Sequence, residues 1–464
     1  MDERLLAGWE IADGVKAKLF SAREVLEAAL KRIEAKNPAL NAFIVVDAEA
    51  ARADADAVDA AIARGEDPGR LAGVPMGIKD LEPVKGMLYT EGSRAYANRV
   101  ADRDGVSVSR LKAAGAVIIG KTNTPEFGYK GFTENQLWGP TRNPWDPTKT
   151  PGGSSGGSAS AVAAGMVPLC SASDGGGSIR IPASFTGCYG IKPSAHRIPR
   201  ANVHAPTWGS FSTLGPMART VRDSARYMDV ASGPHPNDLE VLDSQGHNFE
   251  AAVLGPTPKL KRIAFSADLG YAAVEPEVVE VTRRAAQSLA DCLDAELVEA
   301  GPGFPDPLNA WVTIAASGDT RLVDAMTADE RALLEPGFAR FAEVGRAITA
   351  VQIAESLEIR HQANRTMTAF FEQYDLLLTP TTAALPFVAE GPPPTQIAGR
   401  EGAIFIPCTY PFNFTGHPAA SIPAGLSASG LPIGLQIVAP RLADALLLQV
   451  SAAFEAACPW SYPA

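Results

Sequence analysis

Two glycine–serine stretches and one lysine supply the side chains of this chain best suited to covalent chemistry. Ser178 ends the run Asp174-Gly-Gly-Gly-Ser178. Consecutive glycines let backbone N–H groups converge on one small volume, which stabilises the negative oxygen formed when a carbonyl is attacked. The amides of Gly175, Gly176, Gly177 and Ser178 are therefore the expected oxyanion hole. Removing one such donor typically costs about 2.7–4 kcal/mol. An ordinary glycine-rich turn is the plainer alternative. A serine hydroxyl is a weak nucleophile without a base. Lys79 is the candidate base, because it follows the apolar run Val74-Pro-Met-Gly-Ile78 and burial there disfavours the ammonium form. Lowering its pKa from about 10.4 to about 7 costs roughly 4–5 kcal/mol. A lysine that merely ends a strand beside Asp80 is the alternative.

These residues need a scaffold that brings them together. Ser21-Ala-Arg-Glu24 is a capping box, and Val25, Leu26, Ala29, Leu30 and Ile33 recur on one helical face until Asn37-Pro38 ends the run. Strands are predicted over 41–47, 71–80, 116–119 and 167–171, and helices over 48–65, 106–114 and 158–165. Farther on, amphipathic helices are expected over 281–298, 321–348 and 350–373, with strands over 375–379 and 431–439. Such alternation predicts an α/β fold with a sheet covered by helices on both faces. No repeat or linker divides the chain, so one domain over 1–464 is expected. Its parts are a helical segment (1–66), a core (71–230), a variable pocket region (235–400) and a return to the core (401–464).

Three motif matches dissolve in context. Gly115-Ala-Val-Ile-Ile-Gly120-Lys121-Thr122 fits the P-loop pattern, but Ala-Val-Ile-Ile reads as a strand rather than a phosphate-cradling loop. Gly152-Gly-Ser154-Ser-Gly156 fits the nucleophile elbow, yet Asn143-Pro-Trp-Asp-Pro-Thr-Lys-Thr-Pro151 before it cannot be a central strand. The six histidines (196, 204, 235, 247, 361, 417) all follow that site, so triad order alone does not exclude an elbow. Ser109-Arg-Leu-Lys112 fits S-x-x-K but sits in an ordinary amphipathic helix.

Bulk properties narrow the setting. The 464 residues are 46% hydrophobic and 20% charged, ordinary for a globular protein. A formal net charge of −11 argues against nucleic acid or an anionic membrane as partner. The N-terminal residues lack a signal-peptide pattern, and no apolar run suggests a membrane helix. Five scattered cysteines, never in CxxC spacing, read as reduced thiols of a cytoplasmic protein with no metal site. No cofactor is expected.

Eight stretches together resemble the amidase signature family. They are Gly73-Val-Pro-Met-Gly-Ile-Lys79-Asp80, Gly120-Lys-Thr-Asn-Thr-Pro-Glu126, Pro151-Gly-Gly-Ser154-Ser-Gly-Gly-Ser158 and Asp174-Gly-Gly-Gly-Ser178-Ile-Arg180-Ile-Pro. Gly187-Cys-Tyr-Gly-Ile-Lys-Pro193, Thr213-Leu-Gly-Pro-Met-Ala218, Phe412-Asn-Phe-Thr-Gly416 and Gly430-Leu-Pro-Ile-Gly-Leu-Gln436 complete the set. The resemblance implies the family's large mixed β-sheet and a Ser–Ser–Lys triad. Ser178 would be acylated, Ser154, on a cis peptide bond, would relay protons, and Lys79 would be the base. The implied substrate is a small-molecule amide, and a homodimer is left open. Asp174 and Arg180 would brace the loop, with Ser155 and Ser158 as loop hydrogen-bonders. Family members often carry Thr where this chain has Gly175.

Within the family, the tRNA-linked amidotransferase subunit usually has Met-Asp-Glu-Phe-Ala-Met-Gly where this chain reads Asn123-Thr-Pro-Glu-Phe-Gly128. The wording here resembles soluble amidases instead, including nylon-oligomer hydrolases. Phe127 and Gly128 are the expected pocket wall. Specificity is expected in the middle third, around Trp311 and Phe341.

Overall fold

The computed structural model describes residues 5–200, 208–243 and 246–463. His204 lies outside them. The strands are β1 (Phe43–Val46), β2 (Pro75–Lys79), β3 (Val117–Thr122), β4 (Leu169–Asp174), β5 (Tyr189–Lys192), β6 (Thr213–Ala218) and β7 (Arg262–Phe265). They continue with β8 (Glu296–Glu299), β9 (Leu376–Pro380), β10 (Gln396–Ile397), β11 (Arg400–Glu401), β12 (Ala419–Leu426) and β13 (Pro432–Val438). Eleven of these form one mixed sheet in the order β1-β3-β2-β4-β6-β5-β12-β13-β9-β7-β8, while β10 and β11 pair separately. Every residue of β2, β3, β4, β6, β9 and β13 is buried. Strands buried on both sides require cover on both faces, as the alternating pattern predicts.

The Ser21–Glu24 capping box is present: Ser21 Oγ accepts from the Glu24 amide, and the Glu24 carboxylate accepts from the Ser21 amide. The helix runs through Pro38 to Leu40 rather than stopping at Asn37. Asn41, in the left-handed region, ends it, and the Asn37 side chain accepts from the amides of Ala42 and Phe43.

Two middle-third expectations need correction. The helix placed over 281–298 spans Pro276–Cys292, and the chain then turns at Asp294 (φ 51°) into β8, parallel to β7. The single helix over 321–348 is three: Leu308–Asp324, Ala328–Ala332 and Pro336–Arg346. Thr327 and Glu330 form a capping box that starts the second, and Pro336 starts the third. β5, β6, β7, β8, β10, β11 and β12 have no counterpart among the predicted strands.

The decoy motifs resolve as their contexts suggest. Lys121 lies in β3, fully buried, with Nζ 2.6 Å from Asp80 Oδ1. Lys112 lies in the last turn of its helix, paired with Asp104 at 2.8 Å. The five cysteines are free thiols. No helix among the described residues is long and apolar enough to cross a membrane.

Candidate active site

β2 and β4 run parallel with Gly77 beside Cys170, so the carboxyl ends of both strands reach one edge together. Lys79 is the last residue of β2 and Asp174 the last of β4. The loop before the helix Gly156–Ala163 carries Ser154 to the same place, and the peptide bond Gly153–Ser154 is cis. Lys79 Nζ donates to Ser154 Oγ at 2.7 Å and to Ser173 Oγ at 3.0 Å, with the Ser173 carbonyl at 3.5 Å. Burial lowers the Lys79 amine from its ordinary value to about 7, although Asp174 and Glu82 push it back up.

Ser178 follows β4 and is joined to the Ser154 loop: the Ser155 amide donates to the Ser178 carbonyl at 3.1 Å. Ser154 and Ser178 line one cavity of about 860 Å³, together with Ser173 and Gly175. Phe127 and Gly128, the proposed pocket wall, also line it. An added Cβ at Gly128 would stand 3.2 Å from Ser154 Oγ, so a larger residue would crowd the serine. The Phe127 ring packs on Phe338 at 4.7 Å and edge-on to Tyr96 at 5.6 Å. Among the described residues, no histidine lines the cavity.

Asp174 ties down the glycine loop. Its Oδ1 accepts from the Gly177 amide (2.7 Å), Arg180 Nη2 (2.9 Å) and Asn413 Nδ2 (2.8 Å). Its Oδ2 accepts from Arg180 Nε (3.0 Å) and the Ile179 amide (3.1 Å). Burial alone would raise this carboxyl, but the Arg180 charge and hydrogen bonds hold it well below the usual carboxylate range. Arg180 also donates to the Thr409 carbonyl (2.9 Å), Gln436 Oε1 (2.7 Å) and Asn413 Oδ1 (2.6 Å). Asp174 and Arg180 thus brace the loop. Ser155 and Ser158 donate to the carbonyls of Ser173 and Ser171 at 3.2 and 2.8 Å.

One expectation about the loop is overturned. The Gly177 amide is already engaged by Asp174, so it is not free to meet an oxyanion. The carbonyls of Gly175 and Gly176 accept from Trp311 Nε1 (3.0 Å) and Thr409 Oγ1 (2.7 Å), which fixes the peptide planes between them. Among the described residues, the amides of Gly176 and Ser178 meet no acceptor.

Tryptophans occupy the space that side chains at two of these glycines would need. A Cβ at Gly175 would lie 2.6 Å from Trp208 Cε3, and one at Gly176 would lie 2.6 Å from Trp311 Cζ2. The two indoles meet edge to face at 5.2 Å, and Trp208 Nε1 donates to Asp319 Oδ2 at 2.9 Å. Trp208 lines the cavity, whereas Trp311 and Phe341 stand outside its lining and pack against Trp208. Trp311 and Phe341, where specificity is expected, thus touch the cavity wall through Trp208, and Trp311 also through the Gly175 carbonyl.

Sequence reasoning missed Ser173, Trp208, Thr409, Asn413 and Gln436. Asn413 and Gln436 fall within two of the stretches that carry the family resemblance, a signal that gave them no role. Ser173, Trp208 and Thr409 had no local signal.

The family model Amidase matches residues 24–448. The chain is 36% identical to an acylamidase of Rhodococcus erythropolis, over 98% of this chain and 96% of that protein. It is 39% identical to a Glutamyl-tRNA(Gln) amidotransferase subunit from Synechococcus sp. (strain RCC307), over 96% of each. A solved bacterial aryl acylamidase of the amidase signature enzymes superposes with a TM-score of 0.92 at 35% identity, covering 98% of this chain and 97% of that one. With a family match across most of its length and relatives this similar end to end, the chain belongs to the amidase signature family and is an amide hydrolase.

Proposed function

We propose that this enzyme hydrolyses C–N bonds of small carboxamides through an acyl-enzyme on Ser178, with Lys79 as base and Ser154 as proton carrier. The observation that carries the reading is the 2.7 Å contact between Lys79 Nζ and Ser154 Oγ, at a buried amine lowered to about 7. A neutral amine has one lone pair and two N–H groups. In the charged form Lys79 donates to Ser154; once it is neutral its two N–H groups stay with Ser173 Oγ and the Ser173 carbonyl, and the Ser154 contact reverses, the hydroxyl donating to the lone pair.

In the forward step Ser154 gives its proton to Lys79 and takes one from Ser178, whose oxygen attacks the amide carbon. The amides of Gly175, Gly176 and Ser178 receive the oxyanion. Ser154 then returns a proton to the departing amine. Water cleaves the acyl-enzyme by the same relay. The Ser178→Ala protein should hydrolyse none of a panel of aliphatic, aryl and amino-acid amides that the wild type cleaves. Retained hydrolysis by that variant would overturn the assignment.

The 39% identity to an amidotransferase subunit supports a second reading, a protein that releases ammonia only within a complex. Asn123-Thr-Pro-Glu-Phe-Gly128 speaks against it. Purification decides between them: the free-standing enzyme is active alone, whereas the amidotransferase component copurifies with partners and shows glutaminase activity only with them.

A further inference from the structure

Asp319 is a buried carboxylate, 1% exposed, on the helix Leu308–Asp324, outside both the relay and the glycine loop. Both of its oxygens accept from Trp208 Nε1, Oδ1 at 3.0 Å and Oδ2 at 2.9 Å. The other edge of that indole stands against the reactive loop: a Cβ at Gly175 would lie 2.6 Å from Cε3 and 3.2 Å from Cζ3. Trp208 and Gly175 line the cavity that holds Ser154 and Ser178, beside Ser212 and Leu214. The helix bearing Asp319 is itself fixed. Trp311 donates to the Gly175 carbonyl at 3.0 Å, and Thr320 donates to the Ala342 carbonyl of the helix Pro336–Arg346.

The χ2 torsion of an indole is broad and has two opposed orientations. Turned over about χ2, the Trp208 ring would swing Nε1 away from Asp319 and bring a different edge to Gly175. A buried indole N–H calls for an acceptor. The bond to Asp319 therefore selects the orientation that sets Cε3 and Cζ3 against the loop, and Trp311, edge to face at 5.2 Å, backs the ring.

We infer that Asp319 is a positioning residue for specificity: by holding Trp208 against Gly175, it makes the enzyme prefer acyl groups unbranched beside the carbonyl. The inference rests on the acyl-enzyme reading of this cavity. In that reading Ser154 protonates the departing amine, so the amine faces Ser154 and its neighbour Gly128. The acyl group is left to the side bounded by Gly175, Trp208 and Leu214. A ring held rigid there crowds branches on the carbon next to the carbonyl, while a straight chain runs past it.

The test uses p-nitroanilides of acetic, isobutyric and pivalic acid, read as the kcat/KM ratio of acetyl to each branched group. Intrinsic reactivity differs along this series, so the readout is the change in ratio between proteins. Each ratio is taken within one protein, which cancels the folded fraction. The ratio should fall about tenfold in Asp319→Leu, which removes the acceptor. It should stay within about twofold of the wild type in Asp319→Asn, which keeps an acceptor oxygen. Trp208→Phe removes the donor instead and should lower the ratio likewise. In a Trp208→Ala background, Asp319→Leu should add no further change. A wild-type ratio in either Asp319→Leu or Trp208→Phe, a loss in Asp319→Asn equal to that in Asp319→Leu, or an Asp319→Leu effect that persists without the indole would overturn the inference. No cleavage of any of the anilides by the wild type would instead overturn the acyl-enzyme reading, and the inference with it.

Discussion

The loops bearing the two serines and the helices of residues 308–371 converge near one cavity and are held in different ways. Every residue from 151 to 195 is buried, and polar contacts fix the loops: Asp174, Arg180, Asn413 and Gln436 form one buried network. The helices bury one side and leave Val344, Val351, Leu357 and Ile359 exposed. Arg321, Leu322 and Met326 of this region line the cavity directly, and ring packing of Phe338 on Phe127 and of Trp311 on Trp208 backs the wall. Hydrogen-bond networks specify geometry and tolerate little change, whereas apolar packing of conserved volume can be rebuilt. The contrast teaches that chemistry is fixed in the first region and that shape is adjustable in the second.

The sharpest way to break this contrast is at the reacting groups. Ser178→Ala or Lys79→Ala should each lower kcat by about 10⁴-fold or more, read as amide hydrolysis under saturating substrate. Next comes the network. Arg180→Met leaves the Asp174 carboxylate buried without its cation and should destabilise the fold by about 3–5 kcal/mol in denaturant unfolding. An Arg180→Met protein as stable as the wild type would show that the loop is not held by this pair.

A smaller effect is expected where the two regions touch. Gly175→Thr drives a side chain into Trp208 and should lower kcat/KM by about 100-fold. Adding Trp208→Ala should restore much of that loss and admit bulkier acyl groups. No rescue would place the fault in the loop rather than the wall. Smallest is Trp311→Phe, which removes the donor to the Gly175 carbonyl but keeps an aromatic ring. A loss of about five- to tenfold in kcat is expected.

The sequence made the first region legible because its signals are local. Glycines on either side of Ser154 and before Ser178, and the apolar run before Lys79, are each readable within ten residues. What completes the site is not local. Asn413 and Gln436 reach Arg180 across more than 230 positions, and Trp208 fills the space beside Gly175 from a different loop. No spacing rule connects such pairs. The same limit hides that β12 borders β5 across the sheet, whereas the stretch 321–348 reads as one helix only until the local starts at Thr327 and Pro336 are recognised. Gly177 falls among the expected oxyanion donors because nothing in Gly-Gly-Gly says which amide Asp174 takes.

The central claim is that a neutral, buried Lys79 activates Ser178 through Ser154. It is tested most directly by the pH dependence of phosphonylation of Ser178 with a serine-reactive phosphonate, followed by mass spectrometry. Because the base works only when uncharged, and burial lowers it to about 7, the rate should be lost below that pH and level off above it. In Lys79→Ala both the labelling and its titration should vanish, while substitution of any single histidine should change neither. Ser178 labelled at the wild-type rate in Lys79→Ala, or an adduct on another residue, would contradict the account.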